Sequence, residues 1–305
     1  MFPILLKSAS FLFLIALGYL LKRVGFFGPL DYKIPAKLVA NITMPCAALI
    51  SFATYTPDFS LLILVLLGFG MNCVMLLVGF LLSRNQPRSI RAVWLNCTPS
   101  YNIGAFAMPF IQSFLPPASL VGTCLFDVGS AMMCNGTTFA ISKNILDKTK
   151  GINLKLIGGT LLRSVPFLSY MLFLLITLFR IPIPQKVVDF ATPMANANAF
   201  LAMIMVGMML DLTLDKSLLK NAIGIVAVRY ISAILVALAV YFLLPLPLNI
   251  RQAVAITAFA PVGMISTAYA PQAGGDPGIA ACANSLSILL CIPSVLVLLV
   301  IFGVM

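Results

Sequence analysis

Two proline frames are the residues best placed to do chemistry. The first reads Pro99-Ser-Tyr-Asn-Ile-Gly-Ala-Phe-Ala-Met-Pro109, the second Pro261-Val-Gly-Met-Ile-Ser-Thr-Ala-Tyr-Ala-Pro271. Each holds two prolines ten residues apart with a glycine between them, Gly104 and Gly263. A proline removes a backbone donor and clashes with the turn before it. Two of them around a glycine are expected to unwind a helix. The half-helix that follows such a break begins with free N–H groups and a positive partial charge, which suits an anion without a buried Lys or Arg. A proline kink used only for packing is the competing reading of either frame alone; the matching pair favours the functional one. Asn102 adds an amide that can donate and accept beside the first break. Asp127, in Leu-Phe-Asp-Val-Gly, is an acid inside an apolar stretch, where ionisable groups are expensive and usually face a polar pathway. It could bind a cation, carry a proton or cap a broken helix, and Asn135 follows it about two turns later.

The elements that carry these residues are membrane spans. The chain of 305 residues is 61% hydrophobic and 9% charged, against about 25% charged in soluble domains, so most of its surface must face lipid. A span needs roughly 20 apolar residues. The hydropathy pattern predicts ten, at 2–21, 35–53, 60–83, 93–114, 118–142, 156–179, 187–210, 220–244, 252–272 and 278–303. The apolar N-terminal stretch precedes its charges, Lys22 and Arg23, and is read as a retained span, not a signal peptide. Loop charge sets the orientation. Lys22, Arg23 and Lys33 fall in the first connection, Arg84, Arg88 and Arg91 in the third, Lys143, Lys148, Lys150 and Lys155 in the fifth, and Lys216 and Lys220 in the seventh. Only Arg180, Lys186 and Arg251 fall in the opposite set. Odd connections are therefore expected to be cytoplasmic and both termini extracytoplasmic, in a multi-pass protein of the cell (inner) membrane.

The basic connection 143–155 divides five spans from five. Two homologous halves of five must insert in opposite senses, the inverted-repeat arrangement of many carriers. The expected fold is thus all-α and membrane-integral. Ten helices form a 5+5 inverted repeat, with residues 1–142 and 156–305 as its halves and helices 4 and 9 broken. The net charge of +11 is read as positive-inside bias and attraction to lipid, not as nucleic-acid binding. The sequence has no His and no Glu, which weakens any enzyme built on a His base or His metal ligands. No cofactor is expected, apart from coupling to sodium or protons. The seven cysteines form no C-x-x-C pair and read as packing residues. Arg229, roughly 13 Å along its helix from Lys220, is expected to snorkel to the cytoplasmic surface. A membrane receptor or an intramembrane enzyme is the rival class, and no signalling domain or base supports it.

Several segments resemble the auxin efflux carrier family: Ile-Ala-Leu-Gly-Tyr-Leu-Leu-Lys-Arg-Val-Gly at 15–25, the frame at 99–109, Ala-Met-Ile-Met-Val-Gly-Met-Met-Leu at 202–210, and Pro-Val-Gly-Met-Ile-Ser-Thr-Ala-Tyr-Ala-Pro-Gln-Ala-Gly-Gly-Asp at 261–276. The resemblance runs over essentially the whole chain. It implies a scaffold of spans 1, 2, 6 and 7, and a transport domain of spans 3–5 and 8–10. It further implies crossing fourth and ninth spans, a small organic anion as substrate and a possible homodimer. The chain lacks the long central loop of many plant members and so looks like a bacterial relative, such as a malonate-type permease. The fold implied is also similar to that of bile-acid sodium symporters. Candidate substrate-binding residues are then Tyr101, Asn102, Gly104, Pro109, Pro261, Val262, Ser266 and Pro271, joined by Asn41 and Pro45 from span 2. Asp127, Asn135 and Asn284 are the ion-coupling candidates. Asn196, Asn198, Ser285 and Ser287 are further polar groups inside spans, each as suited to interhelical contact as to lining a cavity.

Overall fold

A computed structural model describes residues 2–55, 59–147, 154–211 and 216–303. Lys148 and Lys150 of the expected linker, and Asp215, lie outside the described residues. The described chain is helical, with no strand. In order it runs α1 (Phe2–Arg23), α2 (Lys33–Leu38), a π-turn at Val39–Thr43, α3 (Met44–Ala53), a 3₁₀ turn at Phe59–Leu62 and α4 (Ile63–Ser83). Then come α5 (Arg88–Cys97), a π-turn at Ile103–Ala107, α6 (Met108–Phe114), α7 (Pro117–Cys134) and α8 (Thr137–Asp147). The remainder is α9 (Leu154–Leu161), α10 (Val165–Leu178), α11 (Gln185–Met209), α12 (Lys216–Leu243), α13 (Leu248–Ala258), α14 (Met264–Gln272) and α15 (Pro277–Ile301). Six helical runs among the described residues are long and apolar enough to cross a membrane, with shorter apolar helices at Ile103–Phe114 and Val165–Leu178. Their outer faces carry exposed Leu66, Phe190, Phe242 and Ile301. This is the architecture of an α-helical membrane protein, where every backbone polar group must be satisfied inside the chain.

Three predicted spans are interrupted by local chemistry. The spans at 93–114 and 252–272 break as expected, but at the first proline of each frame. Helix α5 ends at Cys97 and the chain re-enters helix at Ile103; α13 ends at Ala258 and α14 starts at Met264. The second prolines do not break anything. Pro109 follows on the π-turn Ile103–Ala107, as Pro45 follows the one at Val39–Thr43, so its missing N–H widens the helix without ending it; Pro271 lies inside α14, one residue before that helix ends. The span at 156–179, expected to be continuous, is divided between α9 and α10. Ser164 takes extended backbone ahead of Val165-Pro166, because a proline in the first turn is compatible with starting a helix there, not with continuing one. The span at 118–142 also bends: Asn135 leaves helical geometry as the C-cap of α7, and Gly136 takes φ +116°. Asn135 therefore stands at a corner, not on a continuous helix face.

Close packing uses glycine where two backbones meet. A Cβ on Gly207 of α11 would lie 2.0 Å from the Ile15 carbonyl oxygen of α1, and one on Gly18 would lie 2.2 Å from that of Ile204. The same reciprocal approach joins α4 and α7 through Gly68 and Gly129. Helix α3 packs against both α11 and α10, α7 against α13, and α12 against α13 and α15. Where the membrane offers no hydrophobic drive between helices, such small-residue contacts hold the bundle.

The connections sort to two ends of the bundle. Lys22 Nζ donates to the Leu210 carbonyl (2.9 Å), Arg88 pairs with Asp147, and Asp276 N donates to the Ser89 carbonyl (3.1 Å). The first and seventh connections thus lie together, as do the third, fifth and ninth. At the other end Lys7 donates to the Ser113 carbonyl, Asn249 Nδ2 to Ser119 Oγ (3.3 Å) and Gln252 Nε2 to the Phe302 carbonyl (3.3 Å).

Candidate functional site

The two helix breaks meet. Asn102 N donates to the Pro261 carbonyl at 2.8 Å, joining one unwound segment to the other. Gly263 packs closely at this contact: a Cβ there would lie 2.5 Å from Ser100 Oγ, which would have to turn away. Val262 N donates to Ser287 Oγ (3.0 Å), and Ser287 in turn donates to the Asn284 carbonyl, so α15 supports the second break.

On one side of this junction lie the C-terminal ends of α5 and α13. Their last carbonyls have no intrahelical partner and carry negative partial charge. Arg229 of α12 meets both. Its Nη1 donates to the carbonyls of Thr98 (2.7 Å) and Cys97 (3.2 Å), and its Nη2 to that of Ala260 (2.8 Å). The guanidinium also sits 4.2 Å from the centre of the Tyr101 ring, a cation–π contact. Arg229 is only 3% exposed. The expectation that it snorkels to the surface is therefore wrong. An intramembrane cation that finds carbonyls and a ring inside the bundle gains more by turning inward than by stretching to water.

On the other side lie the N-terminal ends of the two following half-helices, and there a cavity of about 180 Å³ opens. Its wall includes Asn102, Ile103 and Gly104 from the first break, and Gly263, Met264 and Ile265 from the second. Helix α7 contributes Asp127, Ser130, Ala131 and Cys134, with Asn135 at its end. Met44, from the end of the first π-turn, and Ser164, Pro166, Phe167 and Tyr170, from the start of α10, close the rest. Asn102 is 6% exposed, and its Nδ2 has no partner. A buried donor left so is rare and asks for a water or a ligand. Asp127 has neither a hydrogen-bond nor an ion-pair partner among the described residues.

Five of the expected site residues line this cavity: Tyr101, Asn102, Gly104, Asp127 and Asn135. Pro261 and Val262 lie behind it, in the junction itself. Pro109, Pro271 and Ser266 do not reach its wall; Ser266 is buried in α14. Pro45 acts through its neighbour: with no N–H at Pro45 the helix widens into the π-turn that presents Met44. Asn41 is an outright correction. It is exposed, and its Nδ2 donates to the Lys37 carbonyl one turn back (2.8 Å). Asn284 is buried away from the cavity, its Oδ1 without a partner. Asn196 is exposed on α11. Asn198 ties helices together: Thr43 Oγ1 donates to its Oδ1 (2.8 Å), and its Nδ2 donates to Gln112 Oε1 (3.0 Å). Ser285 accepts from Asp211 N.

Sequence reasoning missed Ser130 and Cys134, though a signal existed. They follow Asp127 by three and seven residues, the spacing of one helix face. Cys134 is more than filler here, since its one S–H can donate to either Asn72 Oδ1 (3.4 Å) or the Pro99 carbonyl (3.6 Å). Nothing in the sequence marked Tyr170, whose hydroxyl points to Met108 Sδ (3.2 Å). Two further hollows are larger but carry less chemistry. One, about 480 Å³, is an apolar groove between α4 and α8 with Phe69, Leu77, Phe80 and Ile141 on its walls. The other, about 460 Å³, is a recess beside Tyr55 and Arg180 at the ends of α3 and α10. A scan of the sequence against protein-family models finds no match, and a search of characterised proteins finds no significant relative.

Proposed function

We propose that this protein is a secondary carrier of the auxin efflux carrier type, moving a small organic anion across the cell membrane. The observation that carries this reading is the one cavity set where two interrupted helices meet. It holds the N-terminal ends of two half-helices, with Asn102 Nδ2 and the Asp127 carboxylate without hydrogen-bond partners among the described residues. Irregular backbone within a membrane is tolerated where it lines a cavity or is buried in protein, and midplane sites at broken helices are how carriers of inverted-repeat design hold substrate. The 5+5 arrangement is supported by the matching breaks α5/α6 and α13/α14. In this reading the end rich in Arg and Lys is cytoplasmic, α1–α3 and α9–α11 form a scaffold, and the remaining helices travel against it in an elevator movement. The family resemblance of the segments at 15–25, 99–109, 202–210 and 261–276 points the same way.

The test is uptake of labelled carboxylates into proteoliposomes. Asn102→Ala is expected to cut uptake at least tenfold while the purified protein keeps its size-exclusion profile. Unchanged uptake in that variant removes the cavity as the substrate site. Coupling to sodium or protons is a second reading, favoured by Asp127 and Asn135 sharing the cavity; Asn284 does not join them. Replacing sodium by choline, or collapsing a proton gradient, with no change in rate would discard it.

A further inference from the structure

We propose that the apolar groove between α4 and α8 holds an acyl chain of an acidic phospholipid, whose headgroup phosphate rests on Arg91 and Arg84 at the groove's mouth. The proposal goes beyond the carrier reading and does not depend on the solute carried. It begins with how the groove arises. Helices α4 and α7 touch backbone to backbone where Gly68 meets Phe126 and Gly129 meets Val65. Past that contact the chain turns a corner at Asn135 and Gly136, and α8 packs on α5 and α7 instead. The stretch of α4 beyond Gly68 is thereby left without a neighbour on one side. The gap measures about 480 Å³. Leu76 and Met133 form its floor, with Leu95 buried behind them.

Its shape and chemistry fit a hydrocarbon chain. Phe69, Cys73, Leu77 and Phe80 lie on one face of α4, opposite Ile141 and Ile145 of α8. The polar groups of the wall are spent on the protein. Thr137 Oγ1 donates to the Met132 carbonyl (2.6 Å), and the Cys73 thiol reaches Met133 Sδ (4.0 Å). Phe69 and Leu77 are exposed, so the groove opens on the outer face of the bundle, where lipid lies. From Phe69 to Phe80 is roughly 16 Å at helical rise, and half of the hydrocarbon core is about 15 Å. The groove therefore has the depth of one leaflet. It ends at Phe80, one turn short of the end of α4.

Charge at the mouth selects the lipid. Arg91 Cζ lies 5.1 Å from the centre of the Phe80 ring, so the guanidinium caps this end of the groove. Its Nε is buried without a hydrogen-bond partner among the described residues. Arg84 is the C-cap of α4, one turn past Phe80. Neither is in an ion pair; the one such pair among the described residues joins Arg88 to Asp147. The other acid brought to this end, Asp276, accepts from the first N–H groups of α15. Residues 148–153 add Lys148 and Lys150 and no acid. Two guanidinium groups thus stand at the end of an apolar slot without a counter-charge. A guanidinium pairs well with a phosphate, and a basic pocket between membrane helices suits an anionic headgroup. A second copy of the chain fits worse, because a symmetric contact through this face would bring each set of cations toward its own counterpart.

The experiment is native mass spectrometry of the full-length purified protein, titrated with dioleoyl phosphatidylglycerol or dioleoyl phosphatidylcholine. Phosphatidylglycerol is expected to bind about fivefold or more tightly. Arg91→Gln should remove most of that preference, and Leu77→Trp, which fills the groove, should weaken both lipids. Arg180→Gln, which removes a cation from the opposite set of connections, should leave the preference intact. Equal binding of the two lipids by the wild-type protein overturns the proposal. So does a preference that survives Arg91→Gln, or one that falls as far in Arg180→Gln. Glycerophosphoglycerol, the headgroup without its chains, binding as tightly as the lipid would leave the groove without a part and overturn it too. A dimer that resists added lipid and vanishes in Leu77→Trp would place a second copy in the groove, with the same consequence. The wild-type comparison of the two lipids decides the matter even where a variant does not fold, and every outcome leaves the carrier reading to its own uptake test.

Discussion

The two sides of the helix junction are built from the same four half-helices and end up opposite in character. On the α5/α13 side, carbonyl ends converge and a resident side chain, Arg229, fills the space between them with three hydrogen bonds and a ring contact. On the α6/α14 side, amide ends converge on an open cavity, and among the described residues neither Asn102 Nδ2 nor the Asp127 carboxylate has a hydrogen-bond partner. The first side is internally complete. The second is complete only when something binds. A helix terminus is charged either way; what differs is whether the chain supplies the counter-charge or leaves it to a ligand.

Arg229 offers the sharpest way to break that contrast. Arg229→Met removes the donors from three buried carbonyls, each worth about 1–3 kcal/mol when left unsatisfied, so a loss of at least about 3 kcal/mol is expected. It would show as a large drop in melting temperature in detergent, with Arg229→Lys recovering part. A melting curve indistinguishable from wild type would mean that the closed side is not held by this residue.

Next in size is a control away from the junction. Gly207→Ala drives a Cβ to 2.0 Å from the Ile15 carbonyl oxygen. Overpacking of this kind costs about 1–3 kcal/mol, so α1 must part from α11 and the melting temperature fall. Ligand affinity should stay within twofold, because neither helix reaches the cavity wall. A selective loss of affinity instead would show that the α1–α11 contact shapes the site.

Asn102→Ala should do the reverse. With no partner to lose, stability should change by less than about 0.5 kcal/mol, while affinity for the bound solute falls about tenfold, or about 1.4 kcal/mol. Isothermal titration beside the melting curve separates the two, and a variant that melts far earlier would make Asn102 structural. The smallest effect belongs to Asn41→Ala. Its side chain is exposed and bonds only to the Lys37 carbonyl, so transport and stability should both remain at wild-type level; a clear transport defect would return Asn41 to the site.

Much of this was legible before any fold. The proline–glycine frames located both breaks because the effect of Pro on a helix is local: a missing N–H acts on the turn that contains it. Asp127 stood out for a similar reason, since an acid in an apolar stretch is conspicuous in one dimension. The second prolines misled as break points, because the missing N–H at Pro109 is absorbed by the π-turn before it and α14 is already ending at Pro271. Asn41 misled because helix rotation, not sequence, decides whether an amide faces lipid or neighbour. The break before Val165-Pro166 was missed although Thr160, Arg163 and Ser164 stand just ahead of it, because a span-length hydropathy average smooths a few polar residues away.

By itself, then, the sequence determined that the chain is helical and embedded in a membrane, where two of its helices unwind, and that one acid lies between them. These follow from composition and from interactions within a few residues. Only the tertiary structure decided that the breaks touch, that Arg229 turns inward to close one side, and that Asp127, Asn102 and Tyr170 share a cavity. Those contacts join residues far apart in the chain, Cys97 to Arg229 and Asn102 to Pro261. Their energy comes from satisfying buried polar groups that have no water to turn to, a condition that exists only once the helices have packed.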